Sequence, residues 1–321
     1  MTSQIDRRKE FTGSRTANLQ KELRDSAYAT SRKNDYCVYV TGSFGRQEAC
    51  EHSDVDLFII GGESFRRLDE ICLKADIIST ARKLKFPEFS GDGEYLERYK
   101  VSELIENIGT PKDDASNTLT ARLLLLLESR YLDGSCDMYD RAIADVVSAY
   151  WRDFETHRDN FMPTYLANDI LLFWRTLCLN YEARTKSSPD KERAKRKLKN
   201  YKLRHSRLMT CYSALAYLLF IFETNATVMP QDCIKMSQLT PLERLQTIEC
   251  KKGDSQARIL AAYEEFLLLT NQSEEDLVKK VLSKDAEVKL ILSTQERLGS
   301  AMFDLLQEIE TTPKLLRYFL V

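Results

Sequence analysis

The chain predicts an α/β domain built on a small mixed sheet, followed by an all-α helical domain. Two observations carry this. The first is a pair of short apolar runs, Tyr36–Thr41 and Val55–Ile60, with a glycine turn after the first and Gly61-Gly62 after the second; runs of β-branched and aromatic residues bounded this way read as strands. The second is a change in texture at Gly134, after which glycine becomes scarce and helical periodicity takes over. A chain of 321 residues with 43% hydrophobic content is long enough to bury two cores. The expected division is 1–135 for the α/β domain with its N-terminal helix and 136–321 for the helical domain.

Taken in order, residues 15–34 are helix-compatible, with Leu19, Leu23 and Ala27 on one face. The two strands follow, linked by the turn Gly42-Ser43-Phe44-Gly45-Arg46 and a polar stretch. Residues 64–85 read as a helix with Leu68, Ile71, Cys72, Ala75 and Ile78 on its apolar face. Phe86–Tyr99 reads as a loop with a short strand around Glu94–Leu96. Leu119–Leu132 is expected to be a helix buried nearly all round, because it contains five consecutive leucines, Leu123–Leu127. Helices are then expected over 136–160, 163–185, 207–224, 256–270, 274–292 and 294–310.

Composition excludes several function classes. Charged residues make up 30% of the chain, but the net charge is only -2, so no global case exists for nucleic-acid binding by phosphate neutralisation. The eight cysteines form no C-x-x-C pair and only three histidines exist, which argues against a zinc site and a disulfide framework. The N-terminus has no apolar stretch behind its Arg pair, and the longest apolar run, about Tyr212–Phe222, is far below the roughly 20 residues that span a bilayer. The expectation is a soluble, cytoplasmic protein with reduced thiols.

One constellation stands out. In Ser53-Asp54-Val55-Asp56, alternation along a strand sends Asp54 and Asp56 to the same face. Two adjacent carboxylates repel unless a cation lies between them, and Mg²⁺ (or Mn²⁺) commonly binds one or two carboxylates together with substrate phosphates. The glycine turn upstream offers backbone N–H groups and close approach for phosphate oxygens. Gly42, Ser43 and Arg46 are therefore the candidate nucleotide contacts in the turn. A lone D-x-D or G-S-x-G is usually a solvated strand end or an ordinary turn; the conjunction is what gives specificity. A Ser-His-Asp triad from His52, Ser53 and Asp54 is excluded, because triads are assembled from distant segments.

A second constellation is basic: Lys195, Arg196, Lys197, Lys199, Lys202, Arg204 and Arg207, with Arg175 upstream. Lys191–Lys197 reads as a solvated charged stretch. Lys202 and Arg207 border an apolar helix start at Leu208, and Arg175 lies on the apolar helix Leu171–Leu179, so these three are the candidate triphosphate contacts outside the turn.

The motif G-S-F-G-R…S-D-V-D-L resembles the signature of the polymerase-β-like nucleotidyltransferase superfamily, nearest to the uridylyltransferase-type bacterial proteins and their uncharacterised relatives. Ile108-Gly109-Thr110…Leu119–Ser129 resembles the helix that closes the nucleotidyltransferase domain of those relatives. Segments from Pro163 to Glu182 and from Lys199 to Arg207 resemble parts of their helical domain, so the likeness covers roughly 35–215. It implies transfer of a nucleoside monophosphate from a nucleoside triphosphate, with Gly42 and Ser43 on the triphosphate, Asp54 and Asp56 as catalytic metal ligands, and a third carboxylate from a later strand. Asp92 and Glu94 are the candidates for the third, with Asp76 behind them. The acceptor expected first is a protein side chain, then a second nucleotide giving a signalling oligonucleotide, then a nucleic-acid 3′ end. A nucleotide-binding regulator without activity is the alternative of a different class.

Overall fold

The computed structural model describes residues 3–26, 31–89, 93, 96–183, 190–249, 253–282 and 286–309. The chain divides into two compact units, essentially Gln4–Arg152 and Asp153–Val321.

The N-terminal unit is a four-stranded mixed sheet with helices on both faces. Strands β1 (Tyr36–Thr41) and β2 (Asp56–Gly61) pair antiparallel, with Thr41 opposite Asp56 and Tyr36 opposite Gly61. Strand β3 (Arg98–Tyr99) runs parallel to β2, and β4 (Arg130–Gly134) runs antiparallel to β1, giving the order β3-β2-β1-β4. Side-chain alternation divides the faces. Tyr36, Val38 and Val40 join Val55, Leu57 and Ile59 in one core with Leu19 and Leu23 of α1 (Gln4–Arg24) and Leu73 and Ile77 of the helix Arg67–Lys83. On the opposite face Tyr39 stacks on Phe58, with ring centroids 5.6 Å apart, and meets Tyr139.

Between the strands, Gly42–Gly45 forms a single helical turn, α2. Helix α3 is Arg67–Lys83, α4 Val101–Glu106, α5 Pro111–Ala115, α6 Thr118–Glu128 and α7 Cys136–Tyr150. Helix α6 is buried along almost its whole length, as the leucine run demands. Within it Arg122 is fully buried, and its guanidinium grips both carboxylate oxygens of Asp113 (2.7 and 3.0 Å), the Leu104 carbonyl and the Tyr150 hydroxyl. Burial pulls the Arg122 pKa down, but its bonds to Asp113 and Tyr150 outweigh this and raise it, so the side chain stays charged and staples α4, α5, α6 and α7.

Three sequence expectations change here. Residues 130–134 are a strand, not the end of a helix: Ser129 leaves helical geometry, and the chain then pairs with β1. The compact unit ends after Arg152, not at 135, because α7 buries Tyr139, Ile143, Val146 and Val147 and packs on β1 and β4. Helix α3 buries Asp69, Leu73, Ile77, Thr80 and Ala81, while Leu68 and Ile71 of the expected apolar face are exposed. Of the strand expected around Glu94–Leu96, Glu94 and Tyr95 lie outside the described residues; the strand described nearby is Arg98–Tyr99.

The second unit contains no strand among its described residues. It comprises α8 (Thr164–Ala183), α9 (Asp190–Lys202), a π-helical turn at Leu203–Arg207, α10 (Leu208–Asn225), α11 (Pro230–Gln238), α12 (Pro241–Gln246), α13 (Ser255–Leu269), α14 (Glu274–Leu282) and α15 (Ala286–Ile309). Helices α13 and α15 pair antiparallel, as the bonds from Arg258 to Asp304 and from Arg297 to Glu265 show. Proline at the start of α11 and α12 supplies the N1 residue that a helix start tolerates. No helix among the described residues is long and apolar enough to cross a membrane.

Candidate active site at the Gly42 turn

The site is built where β1 ends and β2 begins. Asp56 opens β2 directly across from Thr41, so both side chains leave the same face at the same edge of the sheet. Val55 is buried with Leu57 and Ile59, which leaves Asp54 and Asp56 to the other side. Both carboxylates are half-buried. Among the described residues, the Asp56 carboxylate has no hydrogen-bond or ion-pair partner. The Thr41 hydroxyl opposite it is buried and also without a partner. A buried hydroxyl without a partner is costly unless a polar group completes it, and the half-buried Asp56 carboxylate beside it is open to a cation.

Gly42 follows directly with φ of 63°, in the left-handed region. A Cβ at this position would lie 2.4 Å from Oδ2 of Asp56. The glycine therefore lets the turn close against the carboxylate itself, a tighter constraint than the space for phosphate that the motif suggested. Gly45 is the second fixed position: a Cβ there would lie 1.7 Å from the Glu128 carbonyl oxygen, so the end of α6 rests on the turn. Ser43, between them, is half-buried.

Arg46, a candidate nucleotide contact, already has two carboxylate partners. It is buried, and its guanidinium donates to Glu48 and Glu128, each at 2.9 Å. The Gly42 N–H is likewise taken, donating to Oε1 of Glu128 at 3.1 Å. Two of the expected phosphate donors thus converge on the buried Glu128 carboxylate. Glu128 lies at the end of a leucine run that reads as core, and only its position beside the turn reveals its role. Helix α1 adds a further brace: Arg8 donates to the Glu48 carbonyl at 2.8 Å, and the Thr12 hydroxyl accepts from the Ala49 N–H at 2.9 Å.

Asp76 accepts a hydrogen bond from Ser26, and no set of three or more acidic, His or Cys side chains suited to a metal ion occurs among the described residues. Asp92 and Glu94 lie outside the described residues. In the helical unit Arg175 and Lys202 are exposed and Arg207 is half-buried. Lys195, expected to be solvated, is ion-paired with Glu274 of α14 at 3.9 Å.

Residues 21–122 match the nucleotidyltransferase domain family. No curated protein and no solved structure matches the chain. The matched segment contains both central strands, the Gly42 turn and the Asp54–Asp56 pair, and it ends at Arg122. The match thus falls within the N-terminal unit, whereas Glu128, β4 and the helical unit lie outside it.

Proposed function

We propose that this chain is a metal-dependent nucleotidyltransferase that moves a nucleoside monophosphate from a nucleoside triphosphate to a protein side chain. The observation that carries the reading is the partnerless Asp56 carboxylate, closed against Gly42 inside a nucleotidyltransferase domain. The orphaned Thr41 hydroxyl on the same edge fits a site completed by a bound group. Asp54 and Asp56 are oxygen donors of the type Mg²⁺ or Mn²⁺ prefers. The ion, when bound, neutralises triphosphate charge and acidifies the acceptor hydroxyl.

The chain's own residues would divide the remaining work. Asp54 and Asp56 would hold the ion against the triphosphate, and the Ser43 hydroxyl would donate to a phosphate oxygen. The Ser43 and Phe44 N–H groups have no intrahelical acceptor in the first turn of α2, so they are available as further donors. The acceptor oxygen attacks the α-phosphorus as the bond to pyrophosphate breaks. The acceptor proton passes to a third carboxylate, for which Asp92 and Glu94 are the proposed residues. Lys202, Arg207 and Arg175 are proposed to add positive charge to the triphosphate. A protein acceptor is supported by the likeness of 35–215 to uridylyltransferase-type proteins.

Incubation with each α-³²P-labelled NTP and Mg²⁺ or Mn²⁺, followed by separation of protein, RNA and small molecules, tests this directly. Asp54→Asn and Asp56→Asn should each lower transfer by orders of magnitude with unchanged melting temperature, since each removes a metal ligand. Transfer within a few-fold of the wild type in either variant would overturn the mechanism. Label in RNA or in a small oligonucleotide would replace the protein acceptor.

A further inference from the structure

A nucleotide-binding turn must hold its shape when empty, and at Gly42 the means is visible. The first N–H of a helical turn has no intrahelical acceptor, and in α2 that donor goes to Oε1 of Glu128 at 3.1 Å, 86 residues away in sequence. The other oxygen, Oε2, accepts from Nη1 of Arg46, one residue beyond the turn, at 2.9 Å. One buried carboxylate thus binds both ends of the segment Gly42–Arg46. The backbone of the same residue adds a steric contact, because its carbonyl occupies the space a Gly45 side chain would need. Arg130, two residues further on, donates from Nε to the Gly45 carbonyl at 3.2 Å.

We infer that Glu128 is a positioning residue for nucleotide transfer: it holds the Gly42 N–H, and through it keeps the turn closed against Asp56 and sets the direction of Ser43. This rests on the function proposed above. The ion pair with Arg46 is a separable part of the arrangement, since Arg46 also has Glu48 at 2.9 Å. The acceptor oxygen facing Gly42 is the part that bears on nucleotide. Without it, the Gly42 amide would be a buried donor without a partner, and a turn with φ of 63° would lose the bond that fixes its first residue.

Glu128→Gln and Glu128→Met form the matched test. Both remove the same charge at similar side-chain length and leave Arg46 with Glu48, but only Gln retains an oxygen to accept from Gly42. The Met variant should also lose more stability than the Gln variant, because it leaves the buried Gly42 amide without a partner. The Met variant should show a KM for NTP raised about tenfold or more over that of the Gln variant, with kcat lowered less, because the turn acts in binding as well as in the transition state. Hydrogen exchange at the Gly42 amide, read by NMR without any substrate, should be faster in Met than in Gln. Equal KM values in the two folded variants, or equal protection of the Gly42 amide, would overturn the positioning role. If the wild type shows neither transfer nor NTP binding, the proposed function fails and the role falls with it. If the wild type transfers and the two variants lose activity only in step with their melting temperatures, Glu128 is structural alone and the proposed function stands.

Discussion

At the scale of single residues, the G-S-x-G motif is explained by what stands over each glycine. Gly42 admits the Asp56 carboxylate and Gly45 admits the Glu128 carbonyl. The two constraints differ in softness. A side chain such as Asp56 can swing aside, whereas a backbone carbonyl at the end of a buried helix cannot. Gly45→Ala is therefore expected to destabilise the N-terminal unit by several kcal/mol, on the order of the largest single-residue losses. Gly13, by contrast, lies on α1 with no heavy atom within 4 Å of an added Cβ. Gly13→Ala should stabilise by about 1 kcal/mol through helix propensity alone. Urea unfolding of the two variants beside the wild type checks the pair. A Gly45→Ala variant within about 1 kcal/mol of the wild type would show that α6 can shift, against the close packing argued here.

At the scale of elements, the π-helical turn Leu203–Arg207 between α9 and α10 places His205 fully inside the helical unit. Its ring stacks on Phe266 of α13, with centroids 4.6 Å apart, and lies 4.3 Å from Tyr201. Nδ1 meets the Tyr201 carbonyl at 2.8 Å, while Nε2 has no partner. Burial pushes the His205 pKa down to about 4, and the bond to the Tyr201 carbonyl only partly opposes this. An unfolded histidine titrates near 6.5, so between pH 6.5 and 4 the unfolded chain binds the extra proton and stability falls as pH falls. Replacing the ring with an uncharged one of similar shape, His205→Phe, should remove about 3 kcal/mol of acid sensitivity across that window. Parallel slopes of stability against pH in the wild type and the variant would show that His205 is not the group responsible. The sequence registers the basic run here but not the π turn, because an extra residue in a helix leaves no compositional mark. The same limit explains β4: Arg130–Gly134 has only Tyr131 and Leu132 as apolar residues, too few to show a strand period, and pairing with β1 is what makes it a strand. Strands β1 and β2 were legible because their runs are short, β-branched and bounded by glycine. The Asp54–Asp56 pair was legible because alternation is local. Glu128 was not, because its meaning depends on a contact across 86 residues.

At the scale of the whole molecule, each unit buries its own core. The N-terminal one closes its sheet between α1 and α3 on one face and α6 and α7 on the other, and the second packs α13 on α15 and α9 on α14. Residues 1–152 should therefore fold alone, with a cooperative transition of their own. The acidic pair and the turn belong to this unit, whereas the cations between Lys191 and Arg207 belong to the other, in a chain whose net charge is only -2. If the helical unit supplies charge to the triphosphate, residues 1–152 should bind NTP and metal about tenfold or more weakly than the full chain. Lys202→Glu or Arg207→Glu in the full chain should give a loss of the same order. Lys195 has Glu274 as its partner, so Lys195→Glu should lower stability slightly and leave NTP affinity nearly unchanged. Calorimetric titration of the fragment and the three variants separates the cases. A fragment that binds as tightly as the full chain would confine nucleotide recognition to the N-terminal unit. Equal weakening by all three charge reversals would point to the long-range field of the basic run and not to contact, since field effects depend on charge and distance and not on which lysine carries it.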